Sequence, residues 1–252
     1  FSYRLRISEP RPDFALRLVP SSLAIRPGMS VPVTVYALRR DGFTNAIELT
    51  LKDAPGLSLS GARVPENQDK VQFTLKAPPQ AAGKTFNPAI EGTAVIDGQT
   101  VVRPAVPADD MMQAFAYRHL VPAHELAVAV TSARAFNNDA IKILSTLPIK
   151  IPVGGTARVV VRTPSAAFAG RFNLELRNAP EGISLATNSP VANGIELVIA
   201  ADASKTAAGA HGNLIIGLQP KNVPAAANPK KANTQPQSTA TLPAIPFEII
   251  AD

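Results

Sequence analysis

The residues best suited to chemistry in this chain are its three histidines, His119, His124 and His211. His119 and His124, with Glu125 next in line, form the one group whose side chains invite a metal ion. Their five-residue separation passes through Pro122, which breaks any helix that would set both imidazoles on one face. Both are therefore expected at exposed edges without a metal. Asp109 and Asp110 are the acidic pair with the most suggestive context. Catalysis by two carboxylates needs them facing each other across a substrate, which sequence neighbours do not do. Asp109 reads instead as the N-cap of a short helix. Calcium needs several carboxylates in one loop, and no Asp-x-Asp-x-Asp run occurs. The Gly-x-Ser-x-Gly elbow, the phosphate-cradling Gly loop and the His-Glu-x-x-His helix are also missing from the sequence. Without cysteine there is no thiolate nucleophile, thiolate metal site or disulfide. No catalytic, cofactor-binding or metal-binding residue is assigned, no cofactor is expected, and the chain is read as a non-enzyme.

Binding chemistry is equally sparse. Sugar-binding sandwiches stack sugar rings on exposed aromatics, but this chain has no Trp and only Tyr3, Tyr36 and Tyr117 as tyrosines. Tyr36 falls within a strand pattern and reads as core or sheet face. The net charge of +6 raises a nucleic-acid reading, yet acidic residues are interspersed with basic ones through most of the chain. The clearest acid-free basic stretch carries Lys221, Lys230 and Lys231 in a polar loop. Lysines on such a loop give weak, salt-screened attraction to a polyanion. They read as solvated surface charge, and no nucleic-acid partner is expected.

The elements that must position these residues are short strands. Hydrophobic residues make up 46% of the chain, enough for real cores, while aromatics make up only 5%. The cores must be built mainly from Val, Ile, Leu and Ala. The 24 prolines and 15 glycines fall between short apolar runs, a punctuation that suits turns and disfavours long helices. No uninterrupted apolar run of about 18 residues occurs, so no helical membrane span is expected.

One pattern occurs twice, the second time about 125 residues on. Leu23-Ala24-Ile25-Arg26-Pro27-Gly28 leads into Val31, Val33 and Val35, and Ile149-Lys150-Ile151-Pro152-Val153-Gly154 leads into Ala157, Val159 and Val161. Ile47 to Pro55 matches Phe172 to Pro180, each followed by a Gly and an apolar pair, Leu57/Leu59 against Ile183/Leu185. Val71 to Leu75 matches Ile195 to Ile199. Gly92 and Gly212 each open a further run, and Pro104-Ala105-Val106-Pro107 matches Pro243-Ala244-Ile245-Pro246. A closing strand at Glu125 to Val128 answers one at Glu248 to Ile250. Alternation of period two is the mark of strands with one buried face. Many such strands between Pro/Gly turns point to two-sheet antiparallel sandwiches, with the Ala-Pro-(x)-Gly element as a corner between sheets. Val33 and Leu174 are expected core positions, and Asp97-Gly98 a hairpin turn.

The copies differ at two places. The first carries an insert, Ala108 to Leu120, read as a short helix begun by Asp109 and ended by Pro122, with Met111, Phe115 and Leu120 near one face and Met112 and Ala116 beside them. The second carries a polar loop, Pro220 to Thr241, too poor in large apolar residues to bury a core. The expected division is 1–10 as the end of a preceding domain or a linker, 11–133 as sandwich one and 134–252 as sandwich two, joined by so few residues that the pair behaves as a semi-rigid rod.

Ser2-Tyr3-Arg4-Leu5-Arg6-Ile7 resembles the last strand of a pre-peptidase C-terminal (PPC) type β-domain, and Arg11-Pro12-Asp13-Phe14-Ala15-Leu16 the junction that follows it. The stretches Val33 to Phe43 and Val102 to Phe115 resemble segments of the immunoglobulin-like modules of large exported bacterial proteins. The resemblance covers the first half, reaches the second through the repeat, and carries no catalytic residues. It implies an all-β chain of two tandem immunoglobulin-like sandwiches, secreted or at the cell surface or periplasm. The chain, which begins at Phe1 without a start methionine, is then a segment of a longer polypeptide. The expected role is a non-catalytic spacer or presentation module whose partners are neighbouring domains of the same polypeptide. The alternative is a module that binds a carbohydrate or other envelope polymer.

Overall fold

The computed structural model describes residues 9–112, 117–132, 141–165, 168–221 and 240–251. Apart from a 3-10 turn at Pro79–Ala81 and one helical turn, α1 (Phe168–Arg171), its regular elements are strands. The expected PPC-like strand at Ser2 to Ile7, the inter-sandwich junction near Arg134 and most of the Pro220 to Thr241 loop, with Lys230 and Lys231, lie outside the described residues, as do Tyr3, Phe115 and Ala116.

The first half contains β1 (Asp13–Val19), β2 (Ser22–Ile25), β3 (Ser30–Arg40), β4 (Ile47–Lys52), β5 (Ser58–Ser60), β6 (Arg63–Val64), β7 (Lys70–Lys76), β8 (Thr85–Phe86), β9 (Ala89–Ile96), β10 (Gln99–Met112), β11 (Arg118–Pro122) and β12 (Ala127–Val130). The large sheet runs β5-β7-β3-β1-β10-β9-β4-β6, with β11 hung on β10, and a second sheet runs β2-β12-β8. The second half contains β13 (Lys142–Ile143), β14 (Ile149–Pro152), β15 (Thr156–Arg162), β16 (Phe172–Arg177), β17 (Ile183–Val191), β18 (Gly194–Ala201), β19 (His211–Pro220) and β20 (Ile245–Ile250). Its sheets are β13-β15-β18-β17 and β14-β20-β19-β16. The alternation in the sequence sets the inward rows. Val31, Val33 and Val35 of β3 are buried with Val71, Phe73 and Leu75 of β7, as are Val159 and Val161 with Ile195, Leu197 and Ile199. Val33 is fully buried, as expected; Leu174 is only half-buried at the margin of its cluster.

Two hydrophobic clusters result, one from Phe14 to Val130 and one from Ile141 to Ile249. Met29 departs from this division: it follows the Gly28 turn of the first half, yet its side chain is buried in the second cluster. The two halves share pairings in the same order. β2 runs parallel to β12, and β14 parallel to β20. β3 is antiparallel to β7, and β15 to β18. After β4 and β16 the chain turns through left-handed Asp53 and Asn178, and then through Gly56 and Gly182, all at positive φ. The Ala-Pro segments therefore sit at corners, and in the second half that corner carries the chain from one sheet to the other. Asp97 and Gly98, both at positive φ, close the β9–β10 hairpin, where Ile96 faces Gln99.

Two expectations are corrected. The Ala108 to Leu120 insert is a β ribbon in its described part, with Ala108 facing Pro122, Asp110 facing Leu120 and Met112 facing Arg118. β10 pairs with β9 as far as Pro104, then with β1 at Ala105 to Pro107, then with β11, so unbroken ladder pairing outweighs a weak local helix signal. Asp109 caps no helix; its Oδ1 accepts from the Ser21 hydroxyl at 2.7 Å and the Ser21 N–H at 3.2 Å, fixing the ribbon to the β1–β2 connection. The proline motifs matched by sequence also take different places. Pro104 to Pro107 lies mid-strand in β10 beside β1, whereas Pro243 to Pro246 leads into β20, whose counterpart in pairing is β12.

Candidate functional site

The residues singled out for chemistry do not converge. His119 stands exposed on the ribbon opposite Met111, and His124 is exposed beyond it. Asp110 pairs with Arg118 at 3.0 Å, and Glu125 accepts from the Asn87 amide at 2.7 Å. His211 lies in the other half, its Nδ1 2.7 Å from the Gly209 carbonyl. Among the described residues no three His, Asp or Glu side chains gather as metal ligands would. Tyr36 is half-buried on a sheet face with Lys70 Nζ 5.3 Å from its ring centre, and Tyr117 is exposed beside the ribbon. Asp13 is the acid held most clearly by a cation. The Arg103 guanidinium, bonded to both its carboxylate oxygens, keeps its pKa below the ordinary value.

The densest long-range polar chemistry lies where the halves meet, around Gln72 of β7 and Asn213 of β19. The Asn213 amide donates to the carbonyls of Gly61 at 2.7 Å and Gln72 at 2.8 Å. The Gln72 side chain donates to Thr34 Oγ1 at 3.2 Å and accepts from the Asn178 amide at 3.1 Å. Gln68 donates to the His211 carbonyl at 2.8 Å. Deeper in, the Ala244 N–H donates to the buried Thr74 hydroxyl at 2.9 Å, and the Thr241 N–H donates to the Ser30 carbonyl at 2.9 Å, continuing a ladder from one half into the other. Gly61 turns with φ near +69°, and a Cβ placed there would overlap the Asn213 amide. The close approach therefore requires glycine.

Two clefts flank this seam. One, of about 730 Å³, has walls from Glu48 and Gly61–Glu66 on one side and from Leu147–Pro148 and Pro246–Glu248 on the other. The other, of about 690 Å³, is lined by Gln68, Lys70, Gln72, Asn178, Glu181 and Lys205 among others. His211, Gly212, Asn213 and Phe247 belong to both and form the ridge between them. Glu48, Glu66 and Glu248 line the first cleft; Glu48 is paired with Arg63 at 3.1 Å, and Glu248 stands opposite Lys150 and His211 across its two ladders. The second is rich in amides, with Lys205 and Glu181 3.7 Å apart.

Sequence reasoning passed over Asn213, Gln72 and Gly61, because each looks like an ordinary turn or outward strand residue and its partners lie far along the chain. The one available signal was the polar start of β19, His211-Gly212-Asn213, ahead of the apolar run Leu214 to Leu218.

No helix among the described residues is long and apolar enough to cross a membrane. No protein-family model matches the chain, and no curated protein matches it. Similar solved structures include domains 4–9 of the surface layer protein SbsC, at 12% identity, covering 96% of this chain and 32% of that one, with a TM-score of 0.33. A marsupial T cell receptor aligns at 10% identity over 95% of this chain and all of its own, with a TM-score of 0.27. An endo-fucoidan hydrolase of glycoside hydrolase family 107 aligns at 12% identity over 94% of this chain and 29% of its own, with a TM-score of 0.26. This chain thus spans about a third of the length of that domain 4–9 structure.

Proposed function

We propose that this chain is a non-catalytic tandem of two immunoglobulin-like sandwiches, 11–133 and 134–252, that holds other parts of a larger secreted or cell-surface bacterial protein at a fixed separation. Residues 1–10 are then the end of a preceding domain or a linker, and the partners are neighbouring domains of the same polypeptide. The observation that carries this reading is the seam. A flexible tether needs no hydrogen bonds across its joint, whereas here Asn213, Gln72, Thr74 and Ser30 bond across it and Met29 of one half is buried in the core of the other. Inter-domain contacts of ordinary size permit relative motion by default, and buried polar bonds at the joint oppose it. The scatter of the titratable groups over separate partners fits the same role.

The competing role is capture of an envelope polymer or polysaccharide in the amide-lined cleft. A pull-down of the chain against insoluble envelope polymers and polysaccharides, at low and moderate salt, separates the two. A spacer leaves the chain in the supernatant, or releases it as salt screens the weak attraction of its net positive charge. Saturable binding that persists at moderate salt overturns the spacer reading.

A further inference from the structure

The chain has three methionines, and the fold treats them in opposite ways. Met29 is 1% exposed, sealed into the second hydrophobic cluster at the seam. Met111 and Met112 are 53% and 66% exposed, at the end of β10 that pairs with β11. Successive residues of a strand point to opposite faces, so one thioether stands on each face of the ribbon. Tyr117 and Val121 are exposed there too, and no strand other than β10 pairs with β11 among the described residues. Both sulfurs are therefore open to small reagents in the solvent.

The side chains opposite them matter as much. Met111 faces His119 and Met112 faces Arg118, and Cβ atoms of such cross-strand partners lie about 5 Å apart. Imidazole and guanidinium groups carry N–H donors, for which a thioether sulfur is only a weak acceptor. A sulfoxide oxygen is a strong one. Arg118 gives one bond to Asp110 at 3.0 Å and keeps further N–H groups beyond it. Each sulfur thus has a donor across the ladder that the oxidised side chain uses far better than the reduced one.

We propose that the β10–β11 ribbon is a methionine-oxidation site, where a peroxide-class oxidant converts Met111 and Met112 to sulfoxides. Both apolar faces of the ribbon become polar while the fold stays intact. Each sulfur lone pair attacks one peroxide oxygen; the S–O bond forms and the O–O bond breaks. The proton of the attacked oxygen passes to the leaving one, which departs as water, so the sulfur is oxidised and the peroxide reduced. In a core this change disrupts packing. On the ribbon it displaces no core side chain, and the new oxygens meet His119 and Arg118. Met29 is shielded, so the seam takes no part, and the oxidation is independent of the spacer reading.

The test is peptide mapping by mass spectrometry of the whole chain during exposure to hydrogen peroxide, folded and in urea. Met111 and Met112 are expected to gain one oxygen at nearly the same rate in both conditions. Folding is expected to slow Met29 by at least about tenfold, because it reacts only through opening of the structure. The oxidised chain is expected to elute earlier from a hydrophobic-interaction column, with its thermal melt and the amide hydrogen exchange of β11 unchanged. Met111→Leu/Met112→Leu, which keeps the faces apolar, is expected to show no such shift after the same treatment. Folding that slows Met111 and Met112 as much as Met29, an elution that does not move, or loss of exchange protection in β11 on oxidation would overturn the proposal. So would an equal shift in the double leucine variant.

Discussion

Phe247→Ala is expected to destabilise the chain by about 3–5 kcal/mol, the range for removing a fully buried aromatic ring from a close-packed core. Phe247 sits on β20, only 2% exposed, in the second hydrophobic cluster. Its ring also lines both clefts, and a Cβ added to its cross-strand partner Gly212 would come within 3.3 Å of it. The surroundings cannot close over the gap easily, because β20 is held on one side by β14 and on the other by β19. Urea denaturation followed by circular dichroism measures the loss. A change below about 1 kcal/mol, the scale of an exposed substitution, would mean that the ring does not anchor this part of the fold.

Gly61→Val is expected to cost about 2–4 kcal/mol, through two effects that act together. The backbone at Gly61 lies in the left-handed region, which a β-branched side chain occupies only with strain of roughly 1–3 kcal/mol. The new Cβ would also displace the Asn213 amide from the carbonyls of Gly61 and Gln72, each bond contributing on the order of 1 kcal/mol. Asn213→Ala removes the bonds without the strain, so its loss should be the smaller of the two. In both variants the damage should fall on the joint. Calorimetry should then resolve the melt into two transitions where the parent chain shows one. A single unsplit transition in Gly61→Val would place the cooperativity of the molecule elsewhere.

What could be read from the sequence was whatever recurs within a few residues. Alternating Val31, Val33 and Val35, or Val159 and Val161, forces an inward row whatever lies opposite, so strand identity and much of the core were legible. The positive-φ corners were legible too, because Asp53 and Asn178 stand at matched places just ahead of Ala-Pro, and Asp97-Gly98 has the chemistry of a tight hairpin. Leu174 obeyed the alternation but sits at the margin of its cluster, where period alone does not fix depth.

The misread parts depend on partners distant in sequence. The stretch Asp109 to Met112 has polar, acidic and methionine residues that suit a helix start, and it became a strand because β1 and β9 had already fixed the direction of β10. The two Pro-x-x-Pro motifs look alike locally, yet one is drawn against β1 and the other opens the closing strand. The seam was invisible for the same reason. Gln72 meets Asn178 and Asn213 meets Gly61 across more than a hundred residues, and nothing in a polar strand residue announces which carbonyl it will find.

The most direct test of a fixed joint is a distance distribution between the halves. The chain has no cysteine, so Thr100→Cys and Asn188→Cys, both at exposed positions on opposite halves, provide a clean pair of spin-label sites. Pulsed electron–electron double resonance on that double variant should give one narrow peak, unchanged in position by temperature before the melt. A broad or multi-peaked distribution would contradict the rigid joint, and with it the spacer role that rests on it.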